Sequence, residues 1–291
     1  MTELRPARLR VGVVGAGRVG AALGAALARA GHHIVAATAV SDQSRVRAER
    51  LLPGAPLLPA DEVVAEADFV LVAVPDDVLR ALITGLAETD AWRPGQMVAH
   101  TSGAHGIGVL DAAAARGVLP LALHPVMTFT GRAEDLDRLT GATFGVTTAE
   151  ELRPVAESLV LEMGGEPVWV PESARALYHA ALTIGSNHLV TLVNDSLGLL
   201  AGAGVAEPGR LAAPLLSASL DNVLRLGDAA LTGPVVRGDV ATVAAHVATL
   251  RDQAPDVLPS YRAMARRTAE RARASGRLEA ERAAEVLAVL E

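Results

Sequence analysis

A short apolar run, Leu9-Arg10-Val11-Gly12-Val13-Val14, ends in Gly15-Ala16-Gly17-Arg18-Val19-Gly20, and an Ala/Leu-rich stretch over 21–30 follows and stops at Gly31. That order reads as strand, tight turn and helix. Gly15 permits the turn, Gly17 lets the main chain approach a ligand, and Gly20 lets helix and strand pack closely. The helix N-terminus then presents unpaired N–H groups and a positive dipole end to phosphate. In this context Gly15, Ala16, Gly17, Arg18, Val19 and Gly20 are expected to hold a dinucleotide. The competing reading is a ligand-free turn in an α/β fold.

Further strand-like runs fall at 34–40, 69–74, 97–100, 119–124, 143–147 and 167–170, most of them separated by helical stretches. Continuous apolar strands alternating with helices predict a parallel sheet covered on both faces. The run 69–74 closes on Pro75-Asp76-Asp77, where either aspartate is placed to cap the next helix. From Pro171 onward only helical patterns remain, at roughly 172–200, 207–226, 239–253 and 259–290. The expected domains are therefore an α/β domain over 1–170 and an all-helical domain over 171–291. The first of the late helices is apolar all round, which predicts burial between helices or against a partner subunit.

Composition narrows the chemistry. Among 291 residues there is no cysteine, and all 26 basic residues are arginine. Disulfides, thiolate nucleophiles, cysteine-bound metals and Schiff-base or lysine acid chemistry are excluded. Two tryptophans, two tyrosines and three phenylalanines, with a net charge of −7, argue against a nucleic-acid partner. No apolar run reaches the roughly 20 residues of a membrane span, and the opening stretch lacks a cleavage-site pattern. A soluble, cytoplasmic protein without a metal site is expected.

An acidic residue usually follows the second strand of an NAD site. Here Thr38-Ala39-Val40-Ser41 is followed by Asp42, then Ser44, Arg45 and Arg47. Hydroxyl and guanidinium donors suit a 2′-phosphate, so Ser41 and Arg45 favour NADP, with NAD possible; solvated helix arginines are the bland alternative. Ligands of an open parallel sheet sit beyond the strands' carboxyl ends. Val74-Pro75-Asp76, His100-Thr101-Ser102-Gly103-Ala104-His105-Gly106 and His124-Pro125-Val126-Met127-Thr128-Phe129 lie there. Histidine suits proton transfer near neutrality, although each one alone is as well read as a structural hydrogen-bonding group. Ser102 sits in Thr-Ser-Gly and not in the nucleophile-elbow pattern, which argues against a serine hydrolase.

On the long helix, at 100° per residue, His179, Thr183, Ser186, Asn187 and Asn194 share one face among apolar neighbours. A buried polar stripe must meet a partner helix or a ligand. Further on, Arg237 and Asp239 are placed to form an ion pair, and the Arg-rich end reads as a solvated helix.

GAGRVG, AVPDD, HTSGAHG, LHPVMTF, YHAALTIGSN and ALTGPVVRGD together resemble a bacterial family that joins a Rossmann-like NAD(P)-binding domain to a helical C-terminal domain of unknown function. More broadly the chain is similar to the 6-phosphogluconate dehydrogenase-like superfamily, with its beta-hydroxyacid dehydrogenases, ketopantoate reductases and pyrroline-5-carboxylate reductases. The resemblance covers nearly the whole chain. It implies that Val74 and Pro75 lie beside the nicotinamide ribose and that Asn187 matches a catalytic asparagine. Thr183 stands where the dehydrogenases carry a lysine, and their Ser-Gly-Gly after Pro-Val is absent here. The proton donor must therefore differ, and His124 and His179 are the candidates, with Ser102 or Thr128 orienting the substrate. The resemblance also implies a homodimer formed by the helical domain and an active site in the interdomain cleft.

The expected function is an NADP-dependent oxidoreductase acting on CH–OH or CH–NH groups of a small oxo acid, hydroxy acid or imine, ketopantoate-like substrates included. The rival readings are a non-catalytic, redox-sensing dinucleotide-binding dimer and a deazaflavin-linked reductase.

Overall fold

The computed structural model describes residues 8–291, which divide into two compact units, the first reaching Thr183 and the second spanning Ile184–Glu291. The first unit is built on seven strands: β1 (Arg10–Val14), β2 (His33–Ala37), β3 (Phe69–Val72), β4 (Met97–His100), β5 (Leu119–Pro125), β6 (Thr143–Thr148) and β7 (Glu166–Trp169). Their spatial order is β2-β1-β3-β4-β5-β6-β7. Each apolar run read as a strand carries one.

The sheet departs from the parallel expectation at one junction. β5 and β6 are antiparallel, with His124 opposite Gly145, and β7 runs parallel to β6. The Val126 N–H donates to the Thr143 carbonyl at 2.8 Å and closes the pair as a hairpin. The intervening loop is held by buried Asp135, which accepts from the Gly131 N–H at 2.7 Å and the Thr130 N–H at 3.1 Å.

Helices α1 (Arg18–Arg29), α2 (Asp42–Leu51), α3 (Ala60–Glu66), α4 (Asp76–Glu88), α5 (Asp111–Ala114), α6 (Glu134–Arg138) and α7 (Arg153–Glu162) connect these strands. Period-two alternation sends Phe69 and Leu71 of β3 into one apolar layer with Leu23 and Leu27 of α1 and Leu159 of α7. Val70 and Val72 enter the other, with Leu79 and Ile83 of α4. All four β3 side chains are fully buried, each contributing about 1.5–3 kcal/mol of apolar burial. Pro75, not an aspartate, occupies the N-cap of α4; Asp76 and Asp77 fall in the first turn, where they complement the helix dipole.

After β7 the chain turns into α8 (Arg175–Leu182). Arg175, 2% exposed, donates from Nε to the Thr147 hydroxyl at 2.7 Å and from Nη2 to the Gly145 and Ala122 carbonyls at 3.0 and 3.2 Å. These bonds tie α8 to β5 and β6, so the first unit extends past its last strand.

A π-helical turn, Thr183–His188, leads to α9 (Leu189–Gly202), α10 (Pro208–Leu226), α11 (Val240–Gln253), α12 (Leu258–Ala274) and α13 (Ala280–Val289). The π turn advances by less than 100° per residue, so the one-face construction that grouped Asn187 and Asn194 with His179 does not hold through it. Asp239 caps α11, accepting from the Thr242 N–H at 3.1 Å and its hydroxyl at 2.7 Å, in place of the expected pair with Arg237. The helix expected over 259–290 is two helices, and α12 buries Ala265, Ala269 and Ala272 against Val243 of α11 and Val286 of α13. By contrast α9 contributes no buried residue and α10 only Ala212. Among the described residues no helix is long and apolar enough to cross a membrane.

Candidate functional site

Strand register brings the rim together. Val14 lies opposite Val72, Val72 opposite His100, and His100 opposite Ala122. The loops leaving β1, β3, β4 and β5 therefore open on one edge, as expected for a parallel sheet. A cavity of about 400 Å³ lies there, lined by Gly17, Arg18, Val74, Pro75, Ser102 and His179 among others.

The glycine turn forms one wall. Gly15 has φ +99°, and its N–H is taken by the Thr38 hydroxyl at 2.7 Å. The Ala16 N–H is taken by the Thr38 carbonyl at 2.7 Å. Gly17 is the N-cap of α1 and offers no side-chain cap, so the first-turn N–H groups of α1 are left for a ligand. A Cβ on Gly17 would meet no atom within 4 Å, whereas one on Gly20 would lie 2.1 Å from the Gly15 carbonyl oxygen. Gly17 thus keeps space open and Gly20 permits packing. Uncapped amides beside an open backbone fit a pyrophosphate.

The opposite wall is built on histidines. His100 is buried; its Nε2 donates to the Gly106 carbonyl at 2.8 Å and its Nδ1 accepts the Ser102 N–H at 3.2 Å. Burial is the main cause that lowers its pKa to about 4. It is a neutral clamp for its loop. Ser102 in turn accepts the His105 N–H at 3.2 Å, leaving its own O–H to donate. Glu172 fixes the loop's exit, accepting from Ile107 and Gly108 at 2.7 and 3.1 Å.

His124 and His179 meet at Gly103, where a Cβ would lie 2.8 Å from Nε2 of the first and 2.7 Å from Cδ2 of the second. Their rings stand edge to face, centroids 6.2 Å apart. Burial, the nearby Arg175 guanidinium and His179 lower the His124 pKa to about 4, so this imidazole is neutral at pH 7. Its Nδ1 lies 2.8 Å from the Tyr178 hydroxyl. The Tyr178 ring lies 5.6 Å from the Arg175 guanidinium, and burial raises the phenol's pKa. Nη1 of Arg175 is buried without a hydrogen-bond partner.

Of the residues singled out in the sequence, Gly17, Arg18, Val19, Val74, Pro75, Ser102 and His179 line one cavity, and His124 touches the same Gly103. Ser41 caps α2: its hydroxyl accepts the Ser44 N–H at 3.2 Å and donates to the Ser44 hydroxyl at 3.1 Å. Arg45 is exposed on α2, and Thr128 is exposed on the loop after β5. Asn187 sits exposed in the π turn, within the second unit. That unit has its own cavity of about 660 Å³, lined by Asn194, His246 and Tyr261 among others, with His246 Nδ1 2.9 Å from the Tyr261 hydroxyl. Tyr178 and Arg175 were not anticipated as site residues: nothing in a lone helical tyrosine or arginine signals chemistry until β5 and β6 bring His124 and three acceptors beside them.

Residues 1–125 match a family described as a Rossmann-like domain, and residues 142–268 match a domain of unknown function, DUF2520. No curated protein matches the chain. Among solved structures, the Bacteroides fragilis protein BF3122, provisionally named an NADP oxidoreductase, is 22% identical with a TM-score of 0.73, over 90% of this chain and 98% of its own. Protein TM1727 of Thermotoga maritima is 22% identical with a TM-score of 0.65, over 91% and 99%. A reductive aminase from Aspergillus terreus, solved with NADPH and ethyl levulinate, is 19% identical with a TM-score of 0.64, over 96% and 99%. At these identities the three establish the fold.

Proposed function

We propose that this chain, a Rossmann-like domain followed by a DUF2520 domain, is a nicotinamide-dinucleotide-dependent oxidoreductase that prefers NADP(H) and acts on a small oxo acid, hydroxy acid or imine. The observation that carries the reading is the cavity of about 400 Å³ in which the uncapped start of α1 and Val74-Pro75 face Ser102 and His179. Gly15, Ala16, Gly17, Arg18, Val19 and Gly20 would hold the pyrophosphate, with Val74 and Pro75 beside the ribose of the nicotinamide. When bound, that group supplies or accepts a hydride. The fold's likeness to a reductive aminase solved with NADPH and an oxo ester supports both halves of the assignment.

The chain's own residues account for the proton. His179 reaches the cavity wall and is the group that exchanges a proton with the substrate heteroatom. His124, neutral and bonded to Tyr178, stands edge to face against it with ring centroids 6.2 Å apart and orients it. The Ser102 O–H, with its acceptor side already used by His105, donates to a carbonyl or carboxylate. No lysine is required, and none is present.

The helical unit is assigned to a homodimer. A pair of helices with one buried residue between them, displaying Leu189, Leu192, Leu215, Leu220, Val223 and Leu224 to solvent, is stable only when that face is covered. A cytoplasmic location belongs to the same proposal.

Oxidation of NADPH, followed at 340 nm across 2-oxo acids (ketopantoate included) and cyclic imines, tests the catalytic reading. Turnover on at least one class, lost at least 100-fold in His179→Ala with nucleotide affinity kept, is expected. Nucleotide binding without turnover on any class favours the sensor reading, and absence of nucleotide binding by calorimetry ends both.

A further inference from the structure

Arg175 begins α8, and its side chain runs into the sheet. Nε and Nη2 donate only to neutral oxygens, those of the Thr147 hydroxyl and of the Gly145 and Ala122 carbonyls. Nη1 is buried without a partner. Among the described residues Arg175 takes part in no ion pair. Glu172 acts on it through space, but its two oxygens hold the Ile107 and Gly108 amides. Burial lowers the pKa of Arg175, yet a guanidinium keeps its proton at neutrality. The first unit therefore encloses a cation whose charge no carboxylate cancels.

Buried charges are ordinarily paired, because leaving water is costly. An unpaired one acts on its neighbours with the weak screening of an interior. Here the neighbours are His100 and His124, on the adjacent strands β4 and β5. Around His124 the charged and titratable groups are Arg175, Tyr178 and His179 of α8 and Asp76 at the start of α4. Burial is the first cause that holds the ring neutral and Arg175 the second, while Asp76 opposes them and is outweighed. A charged His124 would face His179 with ring centroids 6.2 Å apart, so protonation of either ring disfavours protonation of the other. Tyr178 links cation and imidazole rigidly, its ring 5.6 Å from the guanidinium and its hydroxyl 2.8 Å from Nδ1 of His124.

We infer that Arg175 is a positioning residue for the proton exchange proposed above: its bonds seat α8 on β5 and β6, and its uncancelled charge reserves the incoming proton for His179 by keeping it off His124. The role rests on the oxidoreductase reading. Arg175 is not among the residues that line the cavity of about 400 Å³, so it acts through His124 and not on the substrate. Seat and charge are separable, since Thr147 serves only the first.

The test is a pH titration of the full-length protein without nucleotide, followed by NMR of labelled histidine, with the His124 resonance assigned through His124→Gln. Wild-type His124 is expected to titrate far below the usual 6.5. Arg175→Met removes the charge and keeps the aliphatic stem, and the His124 midpoint should rise by about one pH unit. Arg175→Gln should do the same while still offering a donor to the sheet carbonyls. Thr147→Val loosens the seat and keeps the charge, so the midpoint should stay in place, and Arg175→Lys should return it toward the wild-type value. In turnover of the oxo acid or imine, the acid-side fall of kcat in the neutral variants should begin about one pH unit higher, with KM for NADPH within about twofold. A His124 that titrates near 6.5 in the wild-type protein overturns the assignment. So does a midpoint that the neutral variants leave in place, or that Thr147→Val moves as far. Such a failure beside intact wild-type turnover strikes Arg175 alone, whereas absent wild-type turnover overturns the oxidoreductase reading and this role with it.

Discussion

Nδ1 of His124 and the Tyr178 hydroxyl lie 2.8 Å apart, their rings at 88°, one on the last parallel strand and the other on the helix that returns over it. Because the imidazole is neutral, a single proton between the two nitrogen and oxygen atoms decides which is donor, and either state leaves a hydrogen-bonded pair. Such a pair passes a proton without creating a buried charge.

Tyr178→Phe is the corresponding test. It keeps the ring packed against Arg175 and removes the partner of Nδ1. A stability loss of about 1 kcal/mol is expected in chemical denaturation. If the pair feeds His179, kcat falls about 10- to 100-fold with KM for NADPH within twofold. Unchanged kcat at every pH would remove Tyr178 from the proton route.

Acid sensitivity follows from the two depressed histidines. A histidine with an unfolded pKa of 6.5 and a folded value of about 4 is held neutral by the native state. Its contribution is complete above pH 6.5 and is lost as pH falls toward 4, because the unfolded chain takes up the proton first. For buried His100 that amounts to about 2–3 kcal/mol by pH 4.5. Half-buried His124 adds less. Urea denaturation at pH 7.5, 5.5 and 4.5 should show His100→Gln weaker than wild type at pH 7.5 but less steeply dependent on pH. Parallel slopes for the two proteins contradict the clamp role.

Two glycines of the turn should fail in different ways. Ala at Gly17 enters open space at ordinary extended angles, so Gly17→Ala is expected to melt close to wild type. Its methyl projects where the nucleotide's phosphates approach, and NADPH affinity should drop tenfold or more. Gly20→Ala collides with the Gly15 carbonyl and pushes α1 off β1, costing about 2 kcal/mol or more whether or not nucleotide is present. Thermal melts paired with nucleotide titrations separate the cases. Equal destabilisation in both variants would mean that the Gly17 space is not kept for a ligand.

The strands were legible because each is a compact apolar run, and β3, buried on both faces, is the clearest case. Their direction was not: a run such as Thr143–Thr148 carries no mark of polarity, and the reversal at β5 depends on how Asp135 folds the preceding loop. The glycine turn was readable because backbone geometry there demands glycine. His124 and His179 were found by residue type, but their difference in role arises from burial and from Arg175, a residue far from His124 along the chain. The π turn erased the helical stripe because its hydrogen-bond shift has no signature in residue pattern.

The face formed by α9 and α10 yields the last prediction. Leu220 is 51% exposed and Leu224, one turn further along the same side of α10, 78%, so both apolar side chains stand largely in water. Burying such residues contributes about 1.5–3 kcal/mol each, so a self-complementary contact over several of them reaches the range of a stable dimer. Charges placed there are costly to desolvate in an interface and harmless on a free surface. Leu220→Glu/Leu224→Glu is therefore expected to shift the protein from dimer to monomer in light scattering while its far-UV spectrum stays the same. A wild-type protein already monomeric at micromolar concentration, or a double variant that remains dimeric, would assign the exposed helices to some other contact.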